Sequence, residues 1–297
     1  MRVTNKLTVD SIISNLLRNK ERLHSAQNIV SSQKKVNKPS DDPIGMAHIL
    51  GYRKTLSAID QYGKNITRGK THIELTESTL STIHELLQEV RRLAVDQATG
   101  NLDNRPTIAA ELKNIYDQIL QLTNTQLGNS YIFSGHRTDV APFSRDAGYN
   151  ATYHGDDGDI RIIVGEKVDV KINVNGEEAF RSVVNVFDVL RDLINGLENP
   201  DTTMGTTQIA AQISPLTDSL TQIQSVRAAA ASTFTRLETT ENQLADFKLK
   251  VEQLLSDAED ADIARAIVEL QTQETAYQIS LATAARIIQS SLLDFLR

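Results

Sequence analysis

Cysteine is absent from this 297-residue chain, which excludes disulfides and thiolate metal sites. Tryptophan is absent too, and aromatics make up only 5% of residues. Broad globular cores lean on aromatic volume, whereas long helical bundles manage with Leu, Ile, Val and Ala. No apolar run is long enough to span a bilayer. The first twenty residues hold the pairs Ile12-Ile13 and Leu16-Leu17 but no continuous apolar stretch, so no cleaved signal peptide is expected. Residues 1–38 contain neither glycine nor proline, no glycine follows Gly205, and Pro215 is the last proline. Both ends are therefore free to form uninterrupted helix.

The net charge of −7 is unevenly spread. Residues 1–42 carry 8 Lys/Arg against 4 Asp/Glu, and residues 256–297 carry 3 against 7. A basic N-terminus raises the possibility of nucleic acid, but it lacks interleaved aromatics and dense arginine. Attraction between the two oppositely charged ends is the more economical reading.

Seven-residue repeats organise most of what remains. Val9, Ile12, Leu16, Leu23, Ala26 and Val30 share one seam, interrupted by Asn19 as a register-setting polar residue would do. This helix is expected to stop at Lys38-Pro39. Asp42 is placed as the N-cap of the next helix, with Pro43 at its first position. In that helix Ile59, Ile66, Ile73, Leu80, Leu87 and Ala94 recur every seven residues up to about Ala98. At ~1.5 Å per residue it spans roughly 80 Å. Ile108 to Leu122 marks a shorter amphipathic helix, expected to end at Gly128-Asn129. Then Ile160–Val164 and the alternation of Val168, Val170, Ile172 and Val174 indicate strands, closed by the turn pair Asn175-Gly176. A helix near Val183–Leu193 precedes a loose stretch, Asn195–Thr207. Leu216, Ile223, Ala230, Leu237, Leu244 and Val251 form a further heptad series. After the acidic segment 256–262, Ile263, Leu270, Tyr277 and Ala284 lie on one line and Ile267, Leu281, Ile288 and Phe295 on its neighbour. From Val251 to Ile263 is twelve residues, not a multiple of seven, so the apolar face turns at the acidic cluster.

The expected fold is mainly α: a long antiparallel helical rod or coiled coil built from the N- and C-terminal segments, with a small inserted antiparallel β unit. Its parts are 1–42 with 256–297 as a terminal helical domain, 43–142 with 183–255 as a helical rod domain, and 143–182 as a β-rich outer insertion. An isolated end helix of about 30 residues is marginal without a partner. Each end is expected to cover the other, and neighbouring subunits to cover the remainder. The candidate assembly seam is Ile12, Leu16, Leu23, Val30, Ile267, Leu270, Leu281, Ile288 and Phe295.

No catalytic constellation is visible. His24, His48, His72 and His84 lie on helices, but none is three or four residues from another, as a helical ligand pair requires. They read as ordinary surface histidines, and His136 and His154 lack a third ligand. His154-Gly155-Asp156-Asp157-Gly158-Asp159 lacks the spacing of an EF-hand and reads as a turn with solvated carboxylates. Phosphate-binding glycine loops and G-x-S-x-G elbows are missing. No cofactor or metal is expected, and the chain is not expected to be an enzyme. Interfacial membrane helices carry dense Lys/Arg, whereas the C-terminal helix is net acidic, so helix partnering is preferred to a membrane-active role. The Ala228–Ala231 run suits either tight packing or plain helix propensity.

Several segments resemble the bacterial flagellin family. The opening Met1-Arg2-Val3-Thr4-Asn5 is similar to the family's start. Ser31-Ser32-Gln33-Lys34-Lys35-Val36-Asn37, running on to Asp41-Asp42, resembles its signature S-S-G-x-R-I-N-x-x-x-D-D, with Gln33 in place of the usual Gly. The Ser256–Ile267 stretch is similar to its acidic link into the last helix. Tyr131-Ile132-Phe133-Ser134-Gly135 and the ending Ser291-Leu292-Leu293-Asp294-Phe295 depart from the filament-forming members, whose Leu-Leu-Arg tail lacks the Asp-Phe step. The resemblance covers about two thirds of the chain. It implies a subunit exported unfolded through the flagellar secretion apparatus, cytoplasmic before export and extracellular afterwards. Such a subunit would form a ring between the last hook-associated layer and the filament. The implied partners are hook-associated protein 1, flagellin, further copies of itself and an export chaperone that holds the C-terminal helix. The alternatives are filament flagellin itself and, from another class, a membrane-active translocator.

Overall fold

The computed structural model describes residues 2–99 and 104–295, with side chains described at 7, 9–99 and 104–286. The helices α1 (Arg2–Ser32), α2 (Pro43–Ala98), α3 (Arg105–Thr123), α6 (Thr202–Glu259) and α7 (Ile263–Phe295) carry most of the chain. Between α3 and α6 lie six short strands and the helices α4 (Gly176–Phe180) and α5 (Val186–Glu198). The fold is mainly α with small antiparallel sheets in an inserted region. It divides into two compact units, Met1–Ala58 with Asp246–Arg297, and Ile59–Ala245.

In the unit Ile59–Ala245 the heptad positions become core. Ile59, Ile66, Ile73, Leu80, Leu87 and Ala94 of α2 are all buried, as are Leu216, Ile223, Ala230 and Leu237 of α6. A buried stripe on α5 joins them, with Phe187, Leu190, Leu193 and Ile194 inside. Its N-terminus is capped by Asn185, whose side chain accepts from the Phe187 N–H at 3.2 Å. The segment before α5 is pinned by buried Gln222, whose Oε1 accepts from the N–H groups of Val183 and Val184, both at 3.0 Å. Scarce as they are, the aromatics converge here. Phe143 lies 5.0 Å from Phe187 and 5.6 Å from Phe180, ring centre to ring centre, and Phe133 lies 5.4 Å from Phe180.

The strands form three separate two-stranded antiparallel sheets: β1 (Gln126–Leu127) with β2 (Ser130–Tyr131), β3 (Phe143–Arg145) with β4 (Ala151–Tyr153), and β5 (Arg161–Gly165) with β6 (Val168–Lys171). The β5–β6 hairpin lies on α2 at Gly69. A Cβ there would meet Ile162 at 2.6 Å and Ile172 at 3.2 Å, so the glycine permits the close approach.

Gly135, with φ +68°, lets the Phe133–His136 turn accept the 154–158 loop. A Cβ at Gly135 would sit 2.3 Å from the Asp156 carbonyl oxygen. Two of that loop's carboxylates have partners, and Asp157 and Asp159 are exposed. Asp156 Oδ1 accepts from the His136 N–H at 2.6 Å, which holds its carboxyl below the usual range, and Lys171 reaches Asp159 at 2.8 Å.

Four boundaries differ from expectation. The first helix ends at Ser32 rather than at Pro39, because Gln33 takes the left-handed conformation with φ 60°. The left-handed region suits glycine, which is what the resembling signature places there. α3 ends at Thr123, where the Asn124 and Thr125 N–H groups close its last turn. Asn175-Gly176 opens helix α4 instead of turning a hairpin, because Asn175 accepts from the Glu178 N–H at 2.7 Å. The stretch 195–207 is mostly helical. α5 runs on to Glu198, and Asp201 caps α6 by accepting from the N–H groups of Thr203 at 3.0 Å and Met204 at 3.1 Å.

Candidate assembly surface

In the unit that holds both ends, α1 packs against α7. Asn19 donates to Ser280 at 2.6 Å, and Lys34 pairs with Asp260 in an isolated antiparallel bridge. Chain numbers rise along one helix as they fall along the other, so the pair is antiparallel. Asn19 is the polar interruption of the α1 seam, and it finds a polar partner on the opposite seam.

Burial along the pair is shallow. Ile12, Leu16, Leu23 and Val30 are half-buried, and so are Ile263, Leu270 and Tyr277 on α7. Among the described residues of this unit, only Ala26, Val36, Ile49, Val251 and Ala284 are buried apolar side chains. Two helices alone cover only one narrow stripe of each other. Ile267 and Leu281 lie one position beyond the α1-facing line and are 42% and 43% exposed. The side chains of Ile288 and Phe295 lie outside the described residues. Thus Ile12, Leu16, Leu23, Val30 and Leu270 are brought to one interface, whereas Ile267 and Leu281 sit on its flank. More apolar surface flanks the pair: Ile13 and Leu17 on α1, Val268 and Ile279 on α7.

Periodicity gave no hint of a charged clasp at the foot of the pair. Glu259, at the end of α6, is only 4% exposed. Its Oε1 takes Lys34 Nζ and, at 2.5 Å, the Arg53 guanidinium of α2. Backbone bonds close the same junction, from the Lys35 N–H to the Glu259 carbonyl at 2.8 Å and from the Ala261 N–H to the Gln33 carbonyl at 3.0 Å. The Asp-Asp pair that follows has two tasks. Asp41 accepts from the N–H groups of Asn37 and Lys38 at 3.1 and 2.9 Å, and Asp42 caps α2 through the N–H groups of Ile44 and Gly45 at 3.1 and 2.9 Å. The opposite charge of the two ends is realised in this clasp. Among the described residues, no ion pair joins α1 to α7 themselves. A sequence signal existed in the basic Lys34-Lys35 facing an acidic 257–262 segment.

The described residues contain no group of His, Asp and Glu placed to hold a metal ion. No helix among them is long and apolar enough to cross a membrane.

Residues 4–138 match the bacterial flagellin N-terminal helical region, and residues 213–296 match the bacterial flagellin C-terminal helical region. The chain belongs to the flagellin family. Within the family it is 29% identical over 274 residues to the flagellar hook-associated protein 3 of Escherichia coli, covering 84% of this chain and 86% of that one. It is 25% identical over 317 residues to the flagellin of Bacillus subtilis, covering the whole of both. Among solved structures, the flagellar hook associated protein-3 of Legionella pneumophila superposes with a TM-score of 0.65 at 15% identity, covering 70% of this chain and 98% of that one. That likeness is one of fold. The two matched regions contain the signature segments 31–43 and 256–267.

Proposed function

We propose that this flagellin-family chain is a structural subunit of the bacterial flagellum, joining the hook to the flagellin filament. The observation that carries it is the incomplete cover of α1 and α7. The pair leaves Ile13, Leu17, Val268, Ile279 and Leu281 exposed, in a chain whose relatives include a hook-associated protein 3. Exposed apolar lines on a helix pair are satisfied by further helices. The seam residues Ile12, Leu16, Leu23, Val30, Ile267, Leu270, Leu281, Ile288 and Phe295 carry that assembly in this reading. The partners are the last hook-associated layer (hook-associated protein 1), flagellin and neighbouring copies in a ring. A cytoplasmic chaperone covers α7 before export. The role is structural, and the proposal assigns no catalysis.

Immunogold labelling of intact flagella tests it. Label confined to a band at the distal end of the hook is the expected result, and label along the whole filament would reject it. Deleting residues 256–297 is expected to abolish motility when the variant is the only copy, while the unit Ile59–Ala245 stays folded. Full-length similarity to a filament protein favours one second reading, filament flagellin itself. Self-assembly separates the two, since a filament protein extends long polymers from the purified subunit and a junction subunit does not.

A further inference from the structure

The seam between α1 and α7 is poor at defining its own register. Its α7 side reads Ile263, Ala266, Leu270, Gln273, Tyr277, Ser280 and Ala284, a mixture of small, polar and large side chains at seven-residue spacing. Slipping one helix by seven residues sets Asn19 opposite Gln273 instead of Ser280, and one polar pair replaces another. Coiled-coil register is set by features that a slip would violate, and a lone polar pair with a polar alternative one heptad away is a weak one. The clasp is a strong one. It brings together the segment just after α1 (Lys34), the third turn of α2 (Arg53) and the end of α6 (Glu259), at the point where the chain turns into α7. Glu259 is buried with both cations on one carboxylate oxygen, and the 33–35 and 259–261 backbones are bonded to each other directly beside it. Slipping α7 by one heptad would pull Ala261 away from Gln33 and leave a buried carboxylate without its lysine. Breaking a buried charge pair strands the remaining charge, which costs far more than an exposed pair contributes.

We infer that the Lys34–Glu259–Arg53 clasp is the register latch of the terminal helix pair: it sets which α1 residue faces which α7 residue. The inference concerns the single chain and does not depend on where in the flagellum the chain sits.

The absence of cysteine makes the test direct, because every introduced disulfide is assignable. In the full-length protein, Asn19→Cys with Ser280→Cys reports the observed register, and Asn19→Cys with Gln273→Cys reports the slipped one. Replacing Asn19 also removes the competing polar anchor. Disulfides need Cα atoms within roughly 4.4–6.8 Å, so the two pairs cannot close in the same register. With the clasp intact, the 19–280 pair is expected to oxidise readily and the 19–273 pair to remain reduced. Adding Glu259→Gln, which keeps the shape and removes the charge, is expected to lower the ratio of 19–280 to 19–273 cross-linking about tenfold; Lys34 and Arg53 are partly exposed, which tempers the full buried-pair effect. Lys34→Met serves as a milder variant should Glu259→Gln fail to fold, and is expected to shift the ratio in the same direction by less. An unchanged ratio in the variants overturns the inference. So does failure of the 19–280 pair to close with the clasp intact.

Discussion

The two units of this chain use the same heptad grammar to opposite ends. Between Ile59 and Ala245, the heptad lines of α2 and α6 are covered by α3, α5 and the β segments, and the core includes fully buried Tyr116, Phe133, Phe180 and Phe187. In the unit containing α1 and α7, nothing larger than Ile49 is fully buried, and twelve large apolar side chains stand exposed among the described residues, from Leu7 to Leu281. Among its described residues the larger unit exposes five: Val95, Ile163, Val168, Val183 and Met204. Apolar burial drives folding at roughly 25 cal/mol per Å², so the unit Ile59–Ala245 gains more from its own core than the unit containing α1 and α7 does. A heptad series predicts that a helix has a partner. Whether that partner lies in the same chain is decided by how many other elements the sequence supplies to cover it.

Core truncation should break the comparison hardest. Phe187→Ala removes a fully buried ring that touches Tyr116, Phe143 and Phe180, and is expected to destabilise the unit Ile59–Ala245 by about 3–5 kcal/mol. A truncation on the exposed flank of the pair, such as Leu17→Ala at a side chain 54% exposed, is expected to change monomer stability by less than about 0.5 kcal/mol while impairing assembly. Urea unfolding and a polymerisation assay read the two effects. A comparable loss of stability in both variants would erase the distinction between the units.

Gly135→Ala probes the inserted segment. Its left-handed backbone and the Asp156 carbonyl at 2.3 Å from a new Cβ leave no room for a methyl, so a loss of about 2 kcal/mol is expected. Hydrogen exchange of peptides covering 131–160 should localise it. Substitution of Gly63, whose Cβ would meet nothing, serves as the control.

Much of this architecture was legible because periodicity maps directly onto burial. Ile59 through Ala94 and Leu216 through Val251 were read as single lines, and the structure buries every member but Leu244, which is half-buried. Of the alternating Val168, Val170, Ile172 and Val174, the last three are buried, whereas Val168 at the start of its strand is 44% exposed. What escaped has specific causes. The aromatic cluster draws Tyr116, Phe133, Phe143, Phe180 and Phe187 from several elements, so a low overall count hid a high local density. α7 carries two adjacent apolar lines, and spacing alone does not say that Ile263–Ala284 faces α1 while Ile267 and Leu281 flank it. Glu259 was one of several acids in the segment 256–262, and burial of a carboxylate leaves no pattern in sequence. His72 was read as a surface histidine, yet it is half-buried and its Nδ1 is enclosed without a partner.

In the weakly buried unit, an effect of local backbone strain should be visible against a small background. Gln33 is exposed and holds φ 60°, a conformation that costs a residue with a Cβ about 1 kcal/mol relative to glycine. Gln33→Gly, which restores the commoner residue of the signature, is therefore expected to stabilise the α1–α7 unit by about 1 kcal/mol. The gain should appear as a higher urea midpoint for α1 and α7 peptides in hydrogen exchange, with no change between Ile59 and Ala245. Destabilisation would mean that the Gln33 side chain contributes more than its backbone strain costs.

The smallest effect concerns pH, and it belongs to the well-buried unit. Burial lowers the pKa of His72 from its ordinary 6.5, with a backbone hydrogen bond at Ile172 pulling the other way. A proton on the ring would put a charge in a half-buried site, a cost that the Ile172 backbone acceptor offsets only in part. The unfolded chain therefore binds this proton more readily than the folded one. Its contribution to stability is whole above about pH 6.5 and is lost as pH falls from there toward the depressed folded value. In urea unfolding of the unit Ile59–Ala245, wild-type protein should lose more stability between pH 7.5 and 5.5 than His72→Gln does. A difference of the opposite sign would mean that the Ile172 backbone acceptor outweighs the cost of burying the charge.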